Sequence, residues 1–368
     1  MSLSRRDLLT ASALLLAGPG FAMRAAGRES VAGGLGNPII LCWNENPYGP
    51  SPAARAAVSE AIGVSCRYPD DEVTPLHAAI AAREGVSPEC IVTGTGSGEL
   101  LRALGMLAAR EGGEIIAAQP TFTEITEYAH SCGATLKFVP VDERLRLDLA
   151  AMQAAVSPRT RAVYIVNPNN PTSTTVASND IRAFVAALPE HVTAIVDEAY
   201  LDFVTAPEVT SVVDLTRGAQ RVVVLRTFSK IHGMAGIRCG YAIARADVAR
   251  ELSAARMTTP NVFAVRAARA SLGDQAYLAE TRKRILASRM RITTALAGLK
   301  LPYGEPQGNF VFFDTGMPLK RFTELMHARN ILVGRRFAPY DNWCRITIGT
   351  ESEVDAFLTA LPAVLKSA

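Results

Sequence analysis

From Asn37 onward, short apolar and β-branched runs alternate with longer stretches rich in Ala, Leu and Arg, whose apolar positions recur at helical period. That alternation predicts βαβ construction, an α/β fold around a mostly parallel sheet. Seven runs predict its strands, at 90–93, 114–117, 135–139, 162–166, 193–196, 221–225 and 240–244. Helices are expected between them, including 98–109 and 178–187. Near Pro260 the pattern changes: helical sequence runs through Leu299, and 309–314 and 345–349 then read as strands among further helix. The expected organisation is an amino-terminal segment at 36–60, a large domain at 61–262 and a smaller α+β domain at 263–368.

With 368 residues, 49% of them hydrophobic and 20% charged, the chain has material for a large core and a second small one. Its 38 basic and 35 acidic residues are spread out, without a run that would follow a nucleic-acid backbone, so no nucleic-acid partner is expected. The six cysteines form no CxxC pair or Cys/His cluster, and no two of the five histidines share metal-ligand spacing. Neither a disulfide scaffold nor a metal site is expected. At the amino terminus, Arg5-Arg6 precedes the apolar stretch 8–17, which is too short to span a bilayer. This resembles a bacterial twin-arginine export signal and predicts a periplasmic protein without a membrane span, whose fold begins near Gly36. A cytoplasmic chain with an unstructured arm is the alternative.

Candidate chemistry gathers where predicted strands end, the place where open α/β sheets build their sites. Lys230 closes Arg226-Thr227-Phe228-Ser229-Lys230, just past the strand at 221–225. Eight residues on, Gly236-Ile237-Arg238-Cys239-Gly240 offers an arginine between glycines, able to grip an anion at close range with Ser229 nearby. A lysine beside an anion clamp points to a phosphorylated aldehyde. Thr93-Gly94-Thr95-Gly96-Ser97-Gly98-Glu99 follows a strand and opens a helix, where small residues expose backbone amides to phosphate. It lacks the third glycine of a dinucleotide fingerprint and the lysine of a P-loop. Asp197, in Val196-Asp197-Glu198-Ala199-Tyr200, stands at another strand end, either as a helix N-cap or as the partner of a protonated pyridine nitrogen. Tyr200 is then placed to donate toward the ring's phenolic oxygen. Asn170, in the turn-rich Val166-Asn167-Pro168-Asn169-Asn170-Pro171-Thr172, is able to hydrogen-bond a ring substituent, and Phe122 to stack on a flat cofactor.

In this order the motifs resemble the fold-type I pyridoxal-phosphate (PLP) aminotransferases, most closely the histidinol-phosphate aminotransferase branch. The resemblance covers roughly 40–361 and includes Leu41-Cys42-Trp43-Asn44-Glu45-Asn46-Pro47-Tyr48-Gly49-Pro50-Ser51, Arg67-Tyr68-Pro69-Asp70, Gln307-Gly308-Asn309-Phe310 and Asn342-Trp343-Cys344-Arg345-Ile346-Thr347-Ile348-Gly349. It implies PLP as the cofactor, with Lys230 as the Schiff-base lysine and Lys230, Asp197 and Tyr200 as the catalytic set. Cofactor contacts are implied for Ser97, Gly98, Glu99, Phe122, Asn170, Thr227, Ser229 and Arg238, and for Tyr68 in the neighbouring subunit's site of a homodimer. Arg345 is the implied anchor for the substrate's anionic end, with Asn309, Tyr48 and Arg335 on the same side. Two segments depart from the family pattern. Ser173 stands where Asn-Pro-Thr-Gly ends in glycine, so a local change of turn is expected, and Val333-Gly334-Arg335-Arg336-Phe337 replaces the commoner Val-Arg-Pro arrangement.

The resemblance implies transfer of an amino group from an amino acid or amino-alcohol phosphate to a 2-oxo acid, 2-oxoglutarate being the expected acceptor. Alternatives that keep the cofactor are decarboxylation of an amino acid phosphate and transamination of an aromatic amino acid. A PLP-binding protein without turnover is the alternative from another class. An export signal favours a donor other than histidinol phosphate, one whose carboxylate meets Arg345.

Overall fold

A computed structural model describes residues 37–367. The leader expected at 1–35 lies outside the described residues. Strand β1 (Ile39–Leu41) is followed by helices α1 (Pro52–Ala61) and α2 (Asp70–Glu84). The large sheet and its helices come next: β2 (Ile91–Gly94), α3 (Ser97–Ala109), β3 (Glu114–Gln119), α4 (Glu124–Ser131), β4 (Thr135–Pro140) and α5 (Leu149–Ala154). Then come β5 (Thr160–Val166), α6 (Ser178–Ala186), β6 (Thr193–Asp197), β7 (Arg221–Thr227) and β8 (Gly240–Ala244). Helices α7 (Ala246–Ala255), α8 (Val262–Gly273) and α9 (Gln275–Gly298) lead to β9 (Phe310–Asp314), α10 (Leu319–His327), β10 (Ile331–Val333), β11 (Trp343–Thr347) and α11 (Glu351–Leu365).

All seven strands expected of the sheet are present, each within two residues of its expected ends. Their order is β2-β8-β7-β6-β5-β3-β4. Interior strands read as continuous apolar runs because helices cover both faces. Along β5, Val163 and Ile165 join one core while Ala162, Tyr164 and Val166 join the other. The edge strand β4 differs: it is half exposed, carries Lys137 and ends in Pro140, features that discourage further pairing. β8 alone runs antiparallel, to β2 and to β7. Residues 228–239 contain no crossover helix, and a short return of that kind yields antiparallel pairing.

Away from this sheet, β1 pairs parallel with β10, and β9 antiparallel with β11. These pairs and helices α9 to α11 enclose a further core around Phe310, Phe313, Phe322 and Phe357. Helix α8 instead packs on α1 and α2, and its Ala264, Val265, Ala267 and Ala268 join a core of the large sheet. The strand expected at 345–349 lies two residues earlier, because Thr350 already caps α11 through a reciprocal box with Glu353. β1 and β10, three residues each, are too short for periodicity to show.

Candidate active site

The carboxyl ends of β5, β6 and β7 point one way, and β2 runs with them because β8 reverses between β7 and β2. The loops leaving those ends, and the return that enters β8, bring Asn170, Asp197, Tyr200, Lys230, Ser97 and Arg238 to one rim.

Asp197 ends β6 and is buried, 3% exposed. Its carboxylate accepts from the Tyr164 hydroxyl at 2.9 Å and from Ala199 N–H at 3.1 Å. The turn that follows is a short 3-10 element, Leu201–Phe203, so Asp197 caps no α-helix. Burial pushes its pKa up to about 6 against the lowering effect of the Tyr164 hydroxyl. Glu198, its neighbour, has partners of its own in Arg226 Nε at 2.9 Å and Val212 N–H at 2.8 Å. Asp197 makes no such ion pair among the described residues. It is a buried carboxylate one cation short.

Lys230 leaves the end of β7 half-buried; its Nζ donates to Asn44 O at 3.0 Å and lies 5.4 Å from the centroid of the Tyr200 ring. Tyr200 is buried, its hydroxyl accepting from Asn44 Nδ2 at 3.1 Å and Asn170 Nδ2 at 3.5 Å, its ring edge-on to Phe310. Sequence reasoning does not single out Asn44 or Tyr164. A phenol inside the apolar strand run at 162–166 is a usable signal for Tyr164; nothing local marks Asn44, whose partners lie 156 and 186 positions away.

An anion cradle adjoins them. Helix α3 begins behind Gly96 without a side-chain cap, which leaves first-turn N–H groups for a ligand. A Cβ on Gly96 would collide with the Arg238 guanidinium, and one on Gly240 with the Ser97 backbone, so only glycine permits this approach. Arg238 donates to Ala235 O at 2.9 Å and Ser229 Oγ at 3.5 Å and has no acidic partner among the described residues. Ser229 N–H donates to Thr227 Oγ1 at 3.1 Å. The arc 228–239 is closed on itself by backbone bonds from Phe228 to Cys239 O, from Met234 to Phe228 O and from Gly233 to Lys230 O. One expected contact changes character. The Glu99 carboxylate is taken up by the N–H groups of Thr95, Met257 and Thr258 at 2.6–2.9 Å, so it braces the turn, and a carboxylate would in any case repel a phosphate.

Arg345, on β11, is buried: Nη1 donates to Asn170 Oδ1 and Nη2 to Cys42 O, both at 2.6 Å, with the rings of Phe310 and Phe337 beside it. Nε has no partner. Burial lowers its pKa to about 10, which still leaves a cation at neutral pH. Asn309 Nδ2 donates to Asn44 O and Glu45 O at 3.2 Å, while its buried Oδ1 has no partner. Both unfinished groups are the kind that a polar ligand completes.

The remaining expected residues stand further out. Arg335 is exposed, its guanidinium 4.8 Å from the Phe337 ring, whereas Arg336 pairs with Asp341. Phe122 is half-buried after β3, in a loop tied to that of Asn170 by Thr121 Oγ1 donating to Asn169 Oδ1 at 2.8 Å. Tyr48, expected beside the substrate, rests against α9, where Arg284 lies 5.1 Å from its ring. The Tyr277 hydroxyl donates to the Tyr48 carbonyl at 2.9 Å, and the buried Tyr48 hydroxyl has no partner among the described residues. Tyr68 is 92% exposed between α1 and α2. Ser173 takes the left-handed backbone, φ 64, that its glycine counterpart would take.

Residues 37–361 match the family model described as aminotransferase class I and II. The chain is 37% identical over 335 residues to a histidinol-phosphate aminotransferase of Moorella thermoacetica, covering 90% of this chain and 86% of that one. It is also 37% identical over 324 residues to an aromatic amino acid aminotransferase of Rhodococcus opacus, covering 87% and 88%. The crystal structure of histidinol-phosphate aminotransferase from Sinorhizobium meliloti in complex with pyridoxal-5'-phosphate is similar at a TM-score of 0.84 and 29% identity, over 100% of this chain and 99% of that one.

Proposed function

Because this chain belongs to the aminotransferase class I and II family, we propose that Lys230, Asp197 and Tyr200 form the centre that moves an amino group from a donor held by Arg345 to a 2-oxo acid. It is a PLP-dependent transaminase of fold type I. The residues at the rim fit that cofactor: a buried carboxylate one cation short, an uncapped helix start beside an arginine with no acidic partner among the described residues, and a lysine. When bound, PLP supplies an aldehyde for the amine and a cationic ring that withdraws electrons from the adjoining C–H bond.

Everything else is the work of the chain. Asp197 would hold the proton of the cofactor's ring nitrogen, with Tyr164 and Ala199 N–H orienting its carboxylate. The Tyr200 hydroxyl, set by Asn44 and Asn170, would hydrogen-bond the cofactor, and Phe122 would help to hold it. First-turn amides at Ser97 and Gly98, with Thr227, Ser229 and Arg238, would hold the phosphate. Lys230 Nζ takes the proton from the donor's Cα. Arg345 grips the donor's carboxylate or phosphate, with Asn309 beside it and Arg335 at the mouth.

For the donor we infer a flat ring with an anionic end, histidinol phosphate or an aromatic amino acid. Two relatives of equal identity carry those names, and the rings of Phe310 and Phe337 beside Arg345 suit both donors. 2-Oxoglutarate is the proposed acceptor. Tyr68, so exposed in its own chain, is proposed to serve the phosphate of a second copy in a homodimer. Export by the twin-arginine route, inferred from Arg5-Arg6 and the apolar stretch behind them, would place the enzyme in the periplasm.

The observation that carries the reading is the unneutralised, buried Asp197 on the strand next to the one that delivers Lys230. Its test is spectroscopic. Protein loaded with PLP is expected to show a visible absorption band that bleaches with an amino donor and returns with 2-oxoglutarate, and Lys230→Ala is expected to lose both responses. A stopped-flow comparison of histidinol phosphate with aromatic amino acids then separates the donors. A colourless protein that responds to none of them, with Lys230→Ala behaving identically, rules the reading out.

A further inference from the structure

We propose that Ser173 is a positioning residue whose hydroxyl fixes Asn309, and through it the seat of the amino donor; this rests on the aminotransferase reading. Ser173 lies in the loop after β5, fully buried, in a left-handed conformation that glycine adopts freely and serine only at a cost. A residue that merely turned the chain here would be glycine, so the side chain has another task. Its Oγ accepts from Gly308 N–H at 2.9 Å and donates to Phe310 C=O at 2.8 Å. One hydroxyl thereby ties together backbone groups of the two residues that flank Asn309.

Other bonds leave this clamp little freedom. Ser173 N–H donates to Asn169 O, and Ser173 O accepts from Gln307 N–H, each at 2.7 Å. Gln307 Oε1 accepts from Thr205 N–H at 2.8 Å, and Arg289 Nη1 donates to Gly308 O at 3.1 Å. The carbonyl of Asn309 accepts from Ile348 N–H at 2.9 Å. The Asn309 side chain is held in turn by its Nδ2 donating to Asn44 O and Glu45 O, which leaves its buried Oδ1 without a partner among the described residues. At the other end of the same loop, Asn170 meets Arg345 and Tyr200. Ser173 thus joins the loop beneath the donor's anchor to the strand that offers Asn309, without touching donor or cofactor itself.

Two variants separate the hydroxyl from the strained backbone. Ser173→Gly and Ser173→Ala both remove the clamp, but only glycine relieves the positive φ. In the cofactor-free protein, the Gly308 amide is expected to exchange its hydrogen about tenfold faster in both variants, with Ser173→Ala melting below Ser173→Gly. In the loaded enzyme the donor KM is expected to rise about tenfold, with kcat and the cofactor's absorption band little changed. Unchanged Gly308 exchange in both variants overturns the clamp, whatever the activity. Faster exchange with an unchanged donor KM overturns the positioning role. A wild-type protein without transamination overturns the functional reading, and the positioning role with it, but leaves the clamp to be judged by exchange alone.

Discussion

At Asp197, burial and a hydrogen bond pull in opposite directions: desolvation disfavours the carboxylate, and the Tyr164 hydroxyl favours it. A cation on the ring would decide the balance toward the ionised form. Asp197→Asn keeps the shape and removes the charge, so kcat with saturating cofactor is expected to fall by about 100-fold or more, equivalent to about 2.7 kcal/mol. Steady-state kinetics checks it; a loss below about threefold would remove Asp197 from the centre. Lys230 and Asp197 are legible in the sequence because each stands at the end of an apolar strand run, and Arg238 because glycines flank it. Asn44 is not, since its meaning comes from Lys230, Tyr200 and Asn309, which the fold brings from far along the chain. Tyr48 carries a motif that reads as substrate-side, and its ring packs against α9 with its buried hydroxyl unpartnered among the described residues.

Helix α3 does its work at its first turn, and that turn depends on what is absent from Gly96. At φ 76 and against the Arg238 guanidinium, an added methyl group is both strained and obstructed. Gly96→Ala is therefore expected to displace Arg238 and weaken PLP binding about 10- to 100-fold, read by absorbance titration, at a stability cost of about 1–2 kcal/mol in denaturant melts. Among elements, the interior strands are legible because burial on both faces leaves an apolar run of strand length. The direction of β8 is not, because it depends on the helix-free return at 228–239, which the pattern of apolar positions does not report. The shift of β11 has a similar origin in the cap of α11, whose Thr350 ends the extended run.

At the scale of the whole molecule, the arc 228–239 is fastened to α8 through His232, whose Nδ1 lies 2.7 Å from Ser271 Oγ and whose ring is 4.7 Å from that of Phe228. Burial lowers the His232 pKa to about 4, with Asp202 opposing and Arg83 assisting the shift. The unfolded chain, with a histidine near 6.5, binds the extra proton first, so stability is lost as pH falls from about 6.5 toward 4. Between pH 7 and 5 that loss amounts to about 2 kcal/mol for this one group. His232→Gln does not titrate, and its destabilisation relative to wild type is expected to shrink by about that amount in melts at pH 5. Asp197, raised in the fold, works in the opposite sense over the same range, so the wild-type curve alone does not isolate the histidine. The same arc has a metric consequence. Because its backbone closes on itself between Lys230 and Arg238, it acts as a ruler of fixed length between the lysine proposed to bond the cofactor and the arginine proposed to hold its phosphate. Insertions elsewhere on the surface lengthen a loop; one inserted here changes the measurement itself, which makes this stretch the least free to drift in length.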